Sequence, residues 1–151
     1  MKTMRLISKF LCIALLGLTA LAGLAGCGAK TVTLTGAEKD AVLAYGEAMT
    51  DNLMEGMNAA DYATFSKDFS DAMKEGIPET GFASMLEKIT GKIGAYESRV
   101  VSSVEQSGDY VAVIYAAKFE QDEPVTVRVV FEIAEPHRIA GLWFDSEKLR
   151  K

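Results

Sequence analysis

Cysteine is nearly absent. The chain has two, Cys12 and Cys27, both within its first 27 residues. From Gly28 onward there is no thiol, which excludes disulfides, Cys-ligated metal sites and a Cys nucleophile there. Histidine is a single residue, His137, between Pro136 and Arg138, where an exposed turn residue is expected. One imidazole cannot supply a two-His metal site, and no Cys assists it. The serines form no Gly-x-Ser-x-Gly elbow, and with one turn-located His a catalytic triad is not expected. No glycine-rich run matches a phosphate loop or a dinucleotide fingerprint. Glu120, Asp122 and Glu123 cluster, but without the alternating oxygen ligands and glycine of a calcium loop. No metal and no cofactor are therefore expected. Basic residues are outnumbered, 16 Lys and Arg against 21 Asp and Glu, and they form no stripe. A chain this acidic repels phosphate backbones, so nucleic acid is not an expected partner.

What is present begins at the N-terminus. Lys2, Arg5 and Lys9 precede an apolar stretch from Phe10 to Ala22. That stretch is shorter than the roughly 18–20 residues that span a bilayer comfortably. Leu24-Ala25-Gly26 then supplies small residues for cleavage, and the three parts together form a secretion signal. An uncleaved anchor, or an ordinary cleaved signal with a free Cys, are the competing readings. Leu24-Ala25-Gly26-Cys27 resembles the lipobox of prokaryotic lipoproteins. The resemblance implies cleavage before Cys27 and a diacylglyceryl group, with palmitate-type acyl chains, on its thiol. Residues 1–26 are then the signal peptide and Cys27 the first residue of the mature chain. Two or more acyl chains hold a protein stably to a membrane, at about 0.8 kcal/mol per buried CH₂. The expected location is the cell membrane, lipid-anchored, on its extracytoplasmic face. An exported domain without disulfides is held by its core alone. Loss of Lys2, Arg5 and Lys9 leaves 13 basic against 21 acidic residues, a formal charge of −8.

Residues 27–35 read as the lipidated Cys and a short polar tether. Its eight residues from Gly28 to Thr35 reach at most roughly 26–29 Å, so the domain is expected close to the bilayer. Residues 36–151 read as one domain, long enough for a real core.

Thr35-Gly36-Ala37-Glu38 has the pattern of a capping box. Val42, Tyr45, Met49, Leu53 and Met57 then recur at three-to-four spacing, predicting a helix to about Asn58. Asp61 opens a short turn carrying Tyr62 and Phe65. Phe69, Ala72 and Met73 continue the spacing until Gly76-Ile77-Pro78 breaks it. Thr80 is the expected cap of a third helix that buries Phe82, Met85, Leu86 and Ile89 and ends within Gly91 to Gly94.

From Tyr96 the period changes to two. Strands are predicted from Tyr96, over Tyr110 to Phe119, over Val125 to Ile133 and over Arg138 to Phe144, with a helical turn in Ser146 to Lys151. The expected architecture is α+β, helices on one face of a curved four-stranded antiparallel meander. Closing the first hairpin on Ser107-Gly108 places Val104 opposite Val111, Val100 opposite Tyr115 and Tyr96 opposite Phe119. A five-residue loop next places Tyr115 by Val127, Val113 by Val129 and Val111 by Phe131. That apolar face is expected to meet the helices. Glu97, Arg99, Glu105, Lys118, Arg128 and Glu132 fall on the other.

Four stretches carry a resemblance: the first helix with Tyr45; Asp61-Tyr62-Ala63-Thr64-Phe65-Ser66 with Asp68-Phe69; Val111 to Phe119; and Ile139-Ala140-Gly141-Leu142-Trp143-Phe144. Over about residues 38–145 they resemble a family of small bacterial and archaeal domains of unknown function. The family is cystatin-like, or nuclear-transport-factor-2-like, in fold. Members occur as lipoproteins, and some precede an α/β-hydrolase domain. This chain has no hydrolase and no obvious strand hairpin between its helices. The resemblance implies a curved sheet wrapping a long first helix around a conical pocket.

Two candidate sites follow. A small apolar pocket between helices and sheet would be lined by Tyr45, Met49, Phe65, Phe69, Met85 and Tyr115, and an ordinary core is the competing reading. An outer apolar band, Val101, Tyr110, Ile114 and Val130, would pair with a second copy or an envelope protein; simple strand propensity is its competitor. Tyr45, Tyr96 and Tyr115 could face the interior, but no strand Asp or Glu falls there, so no enzyme is expected. The leading expectation is a membrane-tethered, non-enzymatic interaction or accessory module of the cell envelope. Binding of a small apolar ligand is the alternative, with proton-transfer chemistry in a pocket behind both.

Overall fold

The computed structural model describes residues 30–151; the signal segment and Cys27 lie outside the described residues. The chain opens with a two-residue strand β1 (Val32–Thr33) and a long helix α1 (Gly36–Ala59). Three shorter helices follow: α2 (Tyr62–Phe65), α3 (Asp71–Gly76) and α4 (Glu79–Ile93). Then come β2 (Tyr96–Ser107), β3 (Tyr110–Phe119), β4 (Asp122–Glu132), β5 (Ile139–Asp145) and a terminal turn α5 (Glu147–Arg150). The sheet is an open antiparallel meander, β1-β2-β3-β4-β5, with helices packed on one face. No helix among the described residues is long and apolar enough to cross a membrane.

The strand count is five, not four. The extra strand comes from the segment read as tether: Val32 pairs with Gln106 and Thr33 with Glu105. The Leu34 N–H donates to Val104 O at 2.8 Å, and the Leu34 side chain is buried. Two paired residues carry too little alternation to show as a strand in sequence.

Two expected caps are not made. Thr35 stands at the N-cap of α1 without a side-chain hydrogen bond, and α4 opens on Pro78 at its N-cap rather than on Thr80. Asp61 and Ser70 do cap, their side chains accepting from the Ala63 and Met73 N–H groups.

The centre of α1's buried face is Gly46 and Thr50, flanked by the half-buried Tyr45 and Met49. Gly46 faces the Phe131 ring, which a Cβ there would meet at 3.4 Å, ordinary contact distance. At Gly56 a Cβ would meet the Phe65 backbone nitrogen at 2.2 Å, so α2 crosses α1 at van der Waals distance only because that side chain is missing. The crossing seats an aromatic cluster, with Phe65 4.9 Å from Phe69 and 4.7 Å from Phe82 between ring centres. Ser70 N–H donates to Ile139 O and Ile139 N–H to Asp68 O, tying this segment to the β5 edge.

The predicted pairings of β3 with β4 are the observed ones: Tyr115 with Val127, Val113 with Val129 and Val111 with Phe131. The β2–β3 register differs. The hairpin closes on Gly108-Asp109, so Val104 faces Val113, and Val101 rather than Val100 faces Tyr115. Bulges lie between Val101 and Ser103 and between Tyr96 and Ser98. Each adds one residue to β2, which returns the register to the expected Tyr96–Phe119 pair. Between the bulges the faces are exchanged. Val100, expected inside, is 67% exposed; Val101 and Arg99, expected outside, turn inward.

Candidate functional site

The inward turn of Arg99 builds a polar cluster where α1 meets the sheet. The guanidinium is desolvated, with 7% of its side chain exposed. It reaches Glu47 at 2.9 Å and Asp51 at 2.7 Å, residues one helical turn apart on α1. It also donates to Tyr96 Oη at 3.1 Å and lies 5.1 Å above the Tyr115 ring. The Tyr115 hydroxyl, fully buried, donates to Glu47 Oε1 at 2.8 Å and stands 3.2 Å from Thr50 Oγ1. Burial holds the Tyr115 pKa above the ordinary tyrosine value, and its hydrogen bond to Glu47 works in the same direction. Burial alone would lower the Arg99 pKa; the bonds to Asp51 and Tyr96 and the charge of Glu47 outweigh it and raise it. The carboxylates face water while the cation does not, so the cluster clamps α1 to β2 and β3. Arg99 Nε is buried with no partner, which leaves the guanidinium one bond short.

The six residues expected to line an interior pocket are dispersed. Phe65, Phe69 and Tyr115 are core side chains at 1%, 1% and 0% exposure. Tyr45 and Met49 pack half-buried along α1. The Tyr45 ring stacks on His137 at 4.0 Å, so His137 is half-buried rather than an exposed turn residue. Burial raises the Tyr45 pKa. Met85 lies on α4, in an apolar surface groove of about 270 Å³ with Ile77, Ile89, Leu142, Trp143, Phe144 and Leu149. Phe69 borders a cleft of about 410 Å³ beside Lys74, Glu132 and Arg138, where the two charge signs are mixed. No two of the six line the same cavity among those described. No three His, Cys, Asp or Glu side chains among the described residues gather as a metal ion would require.

Of the four residues expected in an outer band, three share the outer face. Tyr110 is 49% exposed, and Ile114 and Val130 are half-buried. Val101 leaves the band for the core, displaced by the bulge. Two residues not expected there join it: Val100, and Trp143 at 57% exposure. The outer edge of the Trp143 indole folds over Gly141, where a Cβ would come within 2.5 Å of the ring and 3.4 Å of Val130 Cβ. Register places Trp143 beside Arg128, and Arg128 beside Ile114, so the apolar residues share a contiguous stretch of sheet. Arg128–Glu105 and Lys118–Glu97 ion pairs flank it. The Gly141-x-Trp143 spacing was the available sequence signal, since alternate strand residues share a face.

A protein-family comparison matches residues 50–142 to a family described as "Protein of unknown function (DUF3887)". No curated protein and no solved structure matches the chain.

Proposed function

The chain belongs to the DUF3887 family of proteins of unknown function, and we propose that it is a lipid-anchored, extracytoplasmic interaction module that binds an envelope protein through the outer face of its sheet. Its anchor is the lipid on Cys27. The observation that carries the reading is the exposed aromatic on the outer sheet face: Trp143 over Gly141 and against Val130, with Ile114 beyond Arg128 and Val100 farther along the same face. A large, pre-ordered, half-wet aromatic ringed by polar residues is the usual core of a protein contact, because little side-chain entropy is lost when it is covered. The buried ionisable cluster at Arg99 is internally paired, so its chemistry is spent on holding α1. The reading is therefore non-enzymatic.

The test is photo-crosslinking in living cells from a reactive residue at position 143, with Ile114→Glu as the control. The expected result is one envelope protein captured through position 143 and lost in Ile114→Glu, with circular dichroism unchanged. Equal capture from positions 143 and 88, on the exposed side of α4, would refute the face.

A second reading is binding of a small apolar ligand in the groove between α4, β5 and α5, whose wall is almost wholly apolar and includes Met85. Native mass spectrometry separates the two, since a co-purified molecule released on denaturation belongs to the groove.

A further inference from the structure

The sheet has two ends, and they differ. At one end β2 turns into β3 at Gly108-Asp109, and β4 runs out toward β5 beside it: Ser107 pairs with Tyr110, Tyr110 with Glu132, and the Ile133 N–H donates to Asp109 O at 2.9 Å. β1 pairs at the same end, with Val32 opposite Gln106. Because β1 is antiparallel to β2, the exposed residues Lys30 and Thr31 ahead of Val32 lie on the side of the Gly108 turn. From Lys30, the first described residue, three residue steps separate the fold from Cys27, a reach of at most about 10 Å.

Exposed apolar side chains gather at that end. Five large hydrophobics are exposed in the described residues, and three of them, Val32 at 50%, Tyr110 at 49% and Ile133 at 38%, lie on its last rungs. They span β1 to β4, three strand spacings or about 14 Å. The opposite end, at Glu120-Gln121, lies a β3 length away, about 30 Å, and is lined by Glu120, Gln121 and Glu123.

We propose that this hairpin end is a membrane-contact surface: Val32, Tyr110 and Ile133 enter the headgroup layer of the bilayer that holds the Cys27 lipid. The proposal rests on the lipid-anchor reading above. The short reach from Cys27, at most about 10 Å to Lys30, keeps this end near the headgroup layer, where an amphipathic ring such as Tyr110 is favoured. A tether this short also converts a weak apolar contact into an intramolecular one at high effective concentration. Asp109, Glu132 and Glu135 share the end with Lys30 and Arg138, so its charge does not favour anionic headgroups. The attraction is apolar, and added anionic lipid does not strengthen it. The strands then stand away from the membrane, leaving the Trp143 face open to a partner on the side.

The experiment uses the full lipidated chain. Cys12 leaves with the signal and the Cys27 thiol is alkylated, so one introduced Cys labels uniquely. An environment-sensitive fluorophore is placed in turn at Asp109→Cys, Ile133→Cys and Glu123→Cys, in phosphatidylcholine vesicles carrying a headgroup-linked quencher. Expected is quenching several-fold stronger at 109 and 133 than at 123, and clearly reduced at 109 when Val32→Ser and Tyr110→Ser are added to the Asp109→Cys chain; unchanged quenching at 109 in that chain would leave the tether alone as its cause and overturn the proposal. Circular dichroism verifies the fold of each. Equal quenching at all three positions overturns the proposal while leaving the anchor intact. Shielding at 109 that appears only when envelope proteins are added also overturns it, in favour of a protein on this end. A purified chain without lipid on Cys27 by mass overturns the anchor reading, and the proposal with it.

Discussion

Removing the cation of the Arg99 cluster is expected to harm the protein less than removing its carboxylates. Burial differs sharply across the ion pairs: Arg99 is 7% exposed, whereas Glu47 and Asp51 are 41% and 68% exposed. Arg99→Met keeps the packing stem and leaves two carboxylates that water already reaches. What is lost is the partly solvated ion pairs, the bond to Tyr96 and the contact over Tyr115, about 1–2 kcal/mol in all. The double change Glu47→Ala and Asp51→Ala leaves a guanidinium that is 7% exposed without its two anions, and the Tyr115 hydroxyl with Thr50 alone. Removing the partners of a buried charge costs about 3–5 kcal/mol. Asp51→Ala by itself, at the wettest position, is expected to cost less than about 1 kcal/mol. Urea unfolding followed by circular dichroism measures all three, with an unchanged m-value as the sign that only stability moved. A reversed order, Arg99→Met costlier than the double carboxylate variant, would refute the claim that desolvation of the cation governs this cluster.

Three further outcomes follow from the same geometry. Gly56→Ala drives a methyl into the Phe65 backbone at 2.2 Å and is expected to cost about 3 kcal/mol or more in urea unfolding; a loss below about 1 kcal/mol would mean α2 does not cross α1 so closely. Tyr115 has a raised pKa in the fold, so it contributes stability fully present below the ordinary tyrosine value near 10 and lost as pH rises from there toward the folded pKa. In phenolate absorbance, the Tyr115 contribution is expected only above the ordinary tyrosine range, and Tyr115→Phe is expected to flatten the alkaline stability loss. The bulge assigns opposite fates to two valines four positions apart, which a regular strand would place on one face: Val100→Thr is expected to change stability by no more than about 0.5 kcal/mol, and Val104→Thr, at 0% exposure, to cost about 1–3 kcal/mol, in the same denaturation assay.

The uneven legibility of the sheet has a single physical origin. In β3 and β4 every second residue is apolar without interruption, and a one-residue slip would expose the whole set, so the pairing could be read directly and is observed. In β2 the inward set is Tyr96, Arg99, Val101 and Val104, spaced by three, two and three. No period of two passes through those positions, so the alternation rule placed Val100 inside and Arg99 outside. The compensating signal was on another element: Glu47 and Asp51, one turn apart on α1, form an acidic pair beside the stripe and mark where a cation from the sheet would dock. The same displacement reshaped both candidate sites. It moved Val101 out of the outer band and Val100 into it, and it filled the space beside Tyr115 with a guanidinium, where an apolar pocket had been expected. What remains outward is organised by Gly141 and Trp143, two residues of the last stretch that carries the family resemblance. Glycine at 141 lets the indole fold over, and folding over is what makes it a platform, not a flexible exposed side chain. Replacing Gly141 by Ala should therefore weaken partner capture at position 143 even though residue 141 is itself buried and touches no partner.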